Sequence, residues 1–372
     1  MILEAEARIH LANIQHNFLI ARQAARGKKV MAVIKGNAYG HGAVQVARSL
    51  PQADAFGVAR MKEAVRLREA GITQPVCLLE GILNGHEATE AVQYQLQLVV
   101  HSDYQLALLK GLKVEGVWIK VDTGMGRLGF PPERLQQICD ELSGQQLLGI
   151  MTHLSSADES DPRPTLEQLA RLEAIAGSYP LNVGNSAAIL NHGLDSTHWI
   201  RPGVMLFGAS PLEGLEPDPQ LRPGMTLVAP IISVRDVRRG STIGYGRTWC
   251  AEKDCRVAVV AVGYADGYPR EVSEGTPVLA GGTLRSIVGR VSMDMISVLL
   301  EDGDDFAPGD PVTLWGDGLP IETIARAAGT IPYTLMSGLT GRVPRRYGVP
   351  RRYGEERRYE ETLQNGEVDG EV

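Results

Sequence analysis

The chain has 372 residues, 44% of them apolar and 22% charged, with a formal net charge of −7. That length exceeds what one hydrophobic core usually serves, so two domains are expected of an otherwise ordinary globular composition. The negative charge leaves no basic footprint for nucleic acid, and no apolar stretch approaches the roughly 20 residues of a membrane-spanning helix, so neither partner is expected.

The opening residues, MILEAEARIH, carry acids where a signal peptide needs a basic start and an apolar middle, which points to the cytoplasm. From residue 9 to about 207, short β-branched runs alternate with segments of helical period. The runs are 30–34, 55–59, 76–79, 96–100, 117–121, 147–152, 181–183 and, less cleanly, 199–207. Helix-like stretches lie between them, among them 11–26, 62–70, 102–110, 131–142 and 165–176; in the first, Leu11, Ile14, Phe18 and Ala21 keep one apolar stripe. Eight βα units suit a (β/α)8 barrel, with a doubly wound open sheet as the alternative, since local pattern cannot show closure.

After Pro223 the texture changes to strands, 226–235, 256–263, 283–288, 291–300 and 311–314, separated by Gly, Pro and Asp, with only 321–328 looking helical. The expected organisation is a barrel domain over 1–223, a mostly β domain over 224–351 and a polar, flexible tail over 352–372. Cys77, Cys139, Cys250 and Cys255 are too scattered for a disulfide framework, and neither they nor the histidines keep a metal spacing, so no metal site is expected.

Functional groups collect where the first eight strands end, which in a barrel is a single mouth. Lys35 follows strand one and precedes GNAYGHG; a desolvated lysine there becomes a nucleophile of the kind that bonds carbonyl groups or pyridoxal phosphate (PLP). Asp122 and Arg127 follow strand five, His153 strand six, Asn185 and Ser186 strand seven, and Arg201 lies at strand eight. GNSAAIL (184–190) offers small polar side chains at a helix start, an arrangement suited to phosphate or, equally, to a plain helix cap by Asn185 or Ser186.

These segments resemble the alanine racemases, PLP enzymes of fold type III. The matching stretches are VIKGNAYGHG (33–42), KVDTGMGRLGF (120–130), THLSSAD (152–158), NSAA (185–188), RPGVMLFG (201–208), GYGRTW (244–249), GYADGYPR (263–270), GRVSMD (289–294) and RVPRRY (342–347). The resemblance implies that Lys35 holds PLP covalently and serves as one catalytic base, with Tyr245 as the opposite base, lent by the second subunit of a homodimer with shared active sites. It implies that Tyr39, Ser186 and Gly203 contact the phosphate, Arg201 faces the pyridine nitrogen with His153 behind the ring, and Arg127 lies near the phenolic oxygen and the substrate carboxylate. Lys120 matches a lysine, often carbamylated, that braces this arginine, and Met293 matches a residue near the substrate carboxylate. The expected activity is interconversion of L- and D-alanine, supplying peptidoglycan, on a small amino-acid substrate.

The physical logic runs in parallel. Racemisation needs two bases flanking a planar carbanion, and PLP provides the electron sink. An arginine has no acceptor and does not give up its proton, so a pyridine nitrogen facing Arg201 stays unprotonated, which separates racemases from related decarboxylases. Gly341 departs from the family, where a tyrosine often lines the substrate methyl; a broader alanine/serine racemase is the first alternative and a non-catalytic PLP-binding protein the second. Tyr264 and Tyr268 are open between packing and entrance lining, Asp266 is expected to cap a turn, and Arg342, Arg345 and Arg346 to balance the acidic tail.

Overall fold

The computed structural model describes residues 2–192, 194–214 and 216–348, in two compact units. One is continuous, Ala12–Arg222; the other combines the residues up to Leu11 with those from Pro223 onward. No helix among the described residues is long and apolar enough to cross a membrane.

Strand β1 (Glu6–Ile9) precedes eight strands that form a closed barrel: β2 (Lys29–Val33), β3 (Ala55–Val58), β4 (Val76–Leu78), β5 (Gln97–Val100), β6 (Gly116–Lys120), β7 (Leu147–Met151), β8 (Leu181–Gly184) and β9 (Trp199–Ile200). All their pairings are parallel, and β9 returns to β2 through Lys29↔Trp199 and Val30↔Ile200. Closure therefore selects the barrel over the open sheet. Parallel strands covered on both faces need continuous apolar runs, and β3, β4 and β6 are buried at every residue. Met31, Ala55, Cys77, Val99, Trp118 and Met151, one from each of six successive strands, form a single buried cluster. Trp118 meets Trp199 edge-on with ring centroids 5.5 Å apart and donates its indole N–H to Gln97 Oε1 at 3.2 Å.

The expected helices take shape as Leu11–Ala24, Met61–Glu69, Asp103–Leu108, Leu135–Glu141 behind a 3-10 turn, and Arg163–Ala176, with Gly85–Gln93 added between β4 and β5. The run expected over 199–207 is a strand only to Ile200. Pro202 has no N–H to continue the ladder, although its carbonyl accepts from Val33 N at 2.9 Å, and Val204–Phe207 winds into a 3-10 turn.

The second unit contains β10 (Met225–Val237), β11 (Thr242–Ile243), β12 (Trp249–Cys250), β13 (Cys255–Val260), β14 (Pro277–Ala280), β15 (Thr283–Ile287), β16 (Ile296–Leu300), β17 (Pro311–Trp315) and β18 (Arg345–Tyr347). Its main sheet runs β13-β16-β15-β14-β17-β10-β1-β18, and β13 also pairs with β10, while β11 and β12 make a separate hairpin. Residues 1–11, expected with the barrel, group here instead: β1 pairs antiparallel with β10 and parallel with β18. A four-residue strand carries no local mark of its partner, so only the long-range ladder decides it. The expected strand over 291–300 is shorter, beginning at Ile296, and a second helix, Pro332–Gly338, starts with proline at a position where a missing N–H does no harm. The tail expected over 352–372 lies outside the described residues.

Trp118 is 1% exposed and fills the barrel between Trp199 and its cluster partners. Trp118→Ala should lower the stability of the barrel by about 3–5 kcal/mol, read as a drop in the urea midpoint; a midpoint within error of the parent would contradict this packing.

Candidate active site

Lys35 comes two residues after β2, and the five residues behind it, Gly36 to Gly40, all have positive φ, from 51° to 82°. Asn37, Ala38 and Tyr39 are not glycine, and left-handed backbone costs an L-residue about 1–2 kcal/mol. The turn is held by its own hydrogen bonds, Ala38 N to Ile34 O at 2.7 Å, Gly40 N to Gly36 O at 2.9 Å and Gly42 N to Asn37 O at 2.9 Å. The Asn37 side chain accepts from Ala43 N at 3.0 Å, and Nδ1 of the buried His41 reaches the carbonyls of Ala38 and Tyr39, both at 3.0 Å, a structural use of that histidine. Doubling back in this way carries Tyr39 under the barrel mouth, where its ring packs on Phe207 at 5.0 Å.

The Tyr39 hydroxyl ends beside Gly203: a Cβ built there would come within 2.7 Å of it, so position 203 has no room for a side chain. Ser186 Oγ accepts from Gly203 N at 2.8 Å, so the three expected phosphate contacts are neighbours. Asn185 is the cap of helix Ser186–Asn191, its side chain accepting from Ala188 N at 2.9 Å, which occupies both that side chain and one of the amides at this helix start.

Arg201 is 6% exposed and has no carboxylate partner among the described residues. Its Nη1 donates to the backbone and side-chain oxygens of Asn182 at 2.5 and 2.7 Å, and its Nη2 to Thr152 O at 2.7 Å with His153 Nδ1 at 3.4 Å, which leaves Nε uncommitted among the described residues. Burial pulls the guanidinium down to about 10. His153 is pushed down to about 3, first by burial and then by the positive charges of Arg201, Lys120, Arg127 and Lys35. Lys120 falls to about 8 for the same reasons, burial first. It lines one small void with Arg127 and His153. The Asp122 carboxylate accepts from the backbone N–H groups of Gly124, Met125 and Gly126, shaping the loop that carries Arg127.

Lys35 itself was expected to be shielded from water, yet its side chain is exposed. The surrounding walls still lower its pKa, by desolvation first, then Arg127, with Glu80 and Glu63 opposing and Arg201 adding a smaller push downward. Glu63, Asn182 and Gln168 are site-shaping residues that motif reading does not reveal. Gln168 accepts from Ser155 N at 2.8 Å and donates to His153 O and Thr123 Oγ1 at 3.1 and 3.2 Å, tying the loops after β6 and β7 together. Each acts across a long sequence gap, so no local spacing signals it.

Tyr245 and Met293 belong to the second unit. Tyr245 sits in the loop of the β11–β12 hairpin and is 68% exposed; Met293 is 53% exposed, on a loop whose carbonyls at Ser292 and Met293 accept from Tyr264 N and Ala265 N. Tyr264 is exposed too, whereas Tyr268 is wholly buried, stacked on Trp315 at 6.0 Å, so it is packing. Asp266 caps its turn by accepting from Gly263 N at 2.9 Å. Arg342 bridges Asp266 and Asp294, Arg345 donates to the carbonyls of Leu339, Thr340 and Val343, and Arg346 faces Glu4 and Glu6, so each finds partners within the fold. A Cβ at Gly341 would meet nothing within 4 Å.

The profile of the alanine racemase N-terminal domain matches residues 9–211, and that of the alanine racemase C-terminal domain matches residues 224–347. The biosynthetic alanine racemase of Salmonella typhimurium is 43% identical over 345 residues, covering 90% of this chain and 96% of the relative. An alanine racemase of Nitrosococcus oceani is 44% identical over 349 residues, covering 91% and 98%. Among solved structures, the biosynthetic alanine racemase from Pseudomonas aeruginosa superposes with a TM-score of 0.89 at 40% identity, over 94% of this chain and 100% of that one. The enzyme from Acinetobacter baumannii gives 0.87 at 34% identity, over 93% and 100%.

With a pKa near 3 in the fold against an ordinary 6.5, His153 is neutral across the whole neutral range. As pH falls below 6.5 the unfolded chain gains this proton and the folded chain does not, so the residue destabilises the fold progressively down to about pH 3. A nitrogen-15 titration should find its imidazole unprotonated at pH 5; a midpoint near 6.5 would contradict the cationic environment described.

Proposed function

The chain belongs to the alanine racemase family and is a PLP-dependent isomerase that interconverts L- and D-alanine, and on that premise we propose that Lys35 and Tyr245 are its two opposed bases. The observation that carries this reading is the barrel mouth itself: an exposed, pKa-lowered lysine beside a buried arginine held by carbonyl oxygens and a neutral histidine.

That donor set fits PLP. The Tyr39 and Ser186 hydroxyls are neutral donors of the kind a phosphate accepts from; Gly203 N–H donates to Ser186 Oγ and so orients that hydroxyl, and Gly203 has no side chain to fill the space beside Tyr39. When bound, PLP supplies an aldehyde for an amine and a ring that withdraws electrons from the substrate α-carbon. Arg201 would hold the pyridine nitrogen by donation alone, and its lack of any acceptor would keep that nitrogen unprotonated. His153, neutral, would add no further positive charge beside Arg201. Arg127 would hold the phenolic oxygen and the substrate carboxylate, with Met293 beside that carboxylate.

Lys35 takes or gives the α-proton at Nζ on one face, and its lowered pKa raises the share of neutral amine that can accept it. Tyr245 does the same through its hydroxyl on the opposite face. The exposure of Tyr245 within its own protomer suits a residue that completes another protomer's site, and Tyr264, Met293 and Met295 are further large apolar side chains exposed on the same unit. A homodimer with shared sites follows as part of the proposal, as do a cytoplasmic location and the use of D-alanine for peptidoglycan.

In deuterated water with PLP and L-alanine, the chain should exchange the α-hydrogen and yield D-alanine. Lys35→Ala should lose borohydride-fixed PLP and turnover together, while Tyr245→Phe should keep PLP and lose most turnover; an active Lys35→Ala chain would refute the assignment. Coexpressing the two inactive variants tests sharing. In a hybrid dimer one site combines both lesions and the other is intact, so about a quarter of the parent activity should return if hybrids form half of the dimers. No recovery, with hybrids shown to form, would place both bases within one protomer.

A further inference from the structure

We propose that Glu63 is a positioning residue for Lys35: its carboxylate holds the left-handed turn that directs the lysine side chain into the barrel mouth. The proposal rests on the reading of Lys35 as the PLP-bearing base. Glu63 lies in the first turn of helix Met61–Glu69, and its Oε2 accepts from Ala59 N and Arg60 N at 2.9 and 3.1 Å, which is ordinary capping of its own helix. Its Oε1 does something capping does not require. It accepts from Gly36 N at 2.6 Å and Asn37 N at 3.3 Å, across a gap of 27 and 26 residues.

Those two N–H groups belong to the peptide planes that immediately follow Lys35. Anchoring them fixes the backbone at the lysine and at the first residue of the left-handed run. Three non-glycine residues in that run would relax toward ordinary backbone unless surrounding contacts over-determine them. A charged acceptor makes stronger hydrogen bonds than a neutral one, so a carboxylate suits the task. The same contact sets where Tyr39 emerges, and its hydroxyl must reach Gly203. Glu63 also places negative charge near Lys35, which is otherwise faced by Arg127, Arg201, Lys120 and His153 and by one further acid, Glu80.

The test uses the full-length chain stripped of PLP, with Glu63→Gln and Glu63→Ala beside the parent. Three quantities are read: the thermal midpoint of the apo chain, hydrogen exchange at the Gly36 and Asn37 amides, and the rate at which added PLP becomes fixed to Lys35 as a function of pH. The neutral amine captures PLP, so the rate climbs with pH to a plateau. Loss of the carboxylate should lower the plateau on the order of tenfold, through misdirection of the amine, and expose both amides to exchange. It should also move the midpoint to lower pH, because the ammonium form loses a stabilising neighbour. Glu63→Gln keeps size and one acceptor oxygen, so it decides the matter if Glu63→Ala does not fold. Parent-like plateau, midpoint and exchange in Glu63→Gln would overturn the proposal. So would a fall in thermal midpoint with the pH midpoint and the two amides unchanged, which is the mark of a helix cap alone. Failure of the parent chain to fix PLP on Lys35 would remove the cofactor reading and this proposal with it.

Discussion

The pairing of β9 with β2 is the contact on which the site depends. Lys29↔Trp199 and Val30↔Ile200 join the last barrel strand to the first, so the residues just beyond each strand end share one rim. Lys35 and Tyr39 come from the first of these ends, Arg201 and Gly203 from the last. In an open sheet these ends would be the most distant pair; in the barrel they come so close that a Cβ at Gly203 would lie within 2.7 Å of the Tyr39 hydroxyl. The chemistry of a mouth assembled from several strands thus follows from a closure that involves two residue pairs.

The rim concentrates positive charge to an unusual degree. Arg127 and Arg201 lower both Lys35 and Lys120, and His153 stays neutral through burial first and these four positive charges second. A buried guanidinium without a carboxylate is costly to maintain, and the carbonyl and amide oxygens of Asn182 and Thr152 only partly offset the loss of water.

Local rules are broken most clearly at the left-handed run behind Lys35. Sequence propensity alone would not choose Asn37, Ala38 and Tyr39 for positive φ. Proteins accept such departures mainly at functional sites, where surrounding contacts supply the compensation. Here the compensation comes from internal hydrogen bonds, from His41 and Asn37, and from the carboxylate of Glu63 on the neighbouring βα unit. The strain falls on the residues between Lys35 and Tyr39 because the backbone reverses sharply there.

The sequence by itself determined the alternation of apolar runs and amphipathic segments, the change to β texture near Pro223, and the identity of the residues at the strand ends. These are local properties: a buried parallel strand is apolar along most of its length, and motif residues keep their spacing wherever the chain goes. Tertiary structure alone decided that the eight runs close, that β1 leaves the barrel to pair with β10 and β18, that Tyr268 is core while Tyr264 is not, and that Glu63 reaches back to Gly36. Each of these turns on which distant segments come into contact. Ladder pairing, burial and a carboxylate's choice of donor depend on neighbours in space, and spacing along the chain holds no record of them.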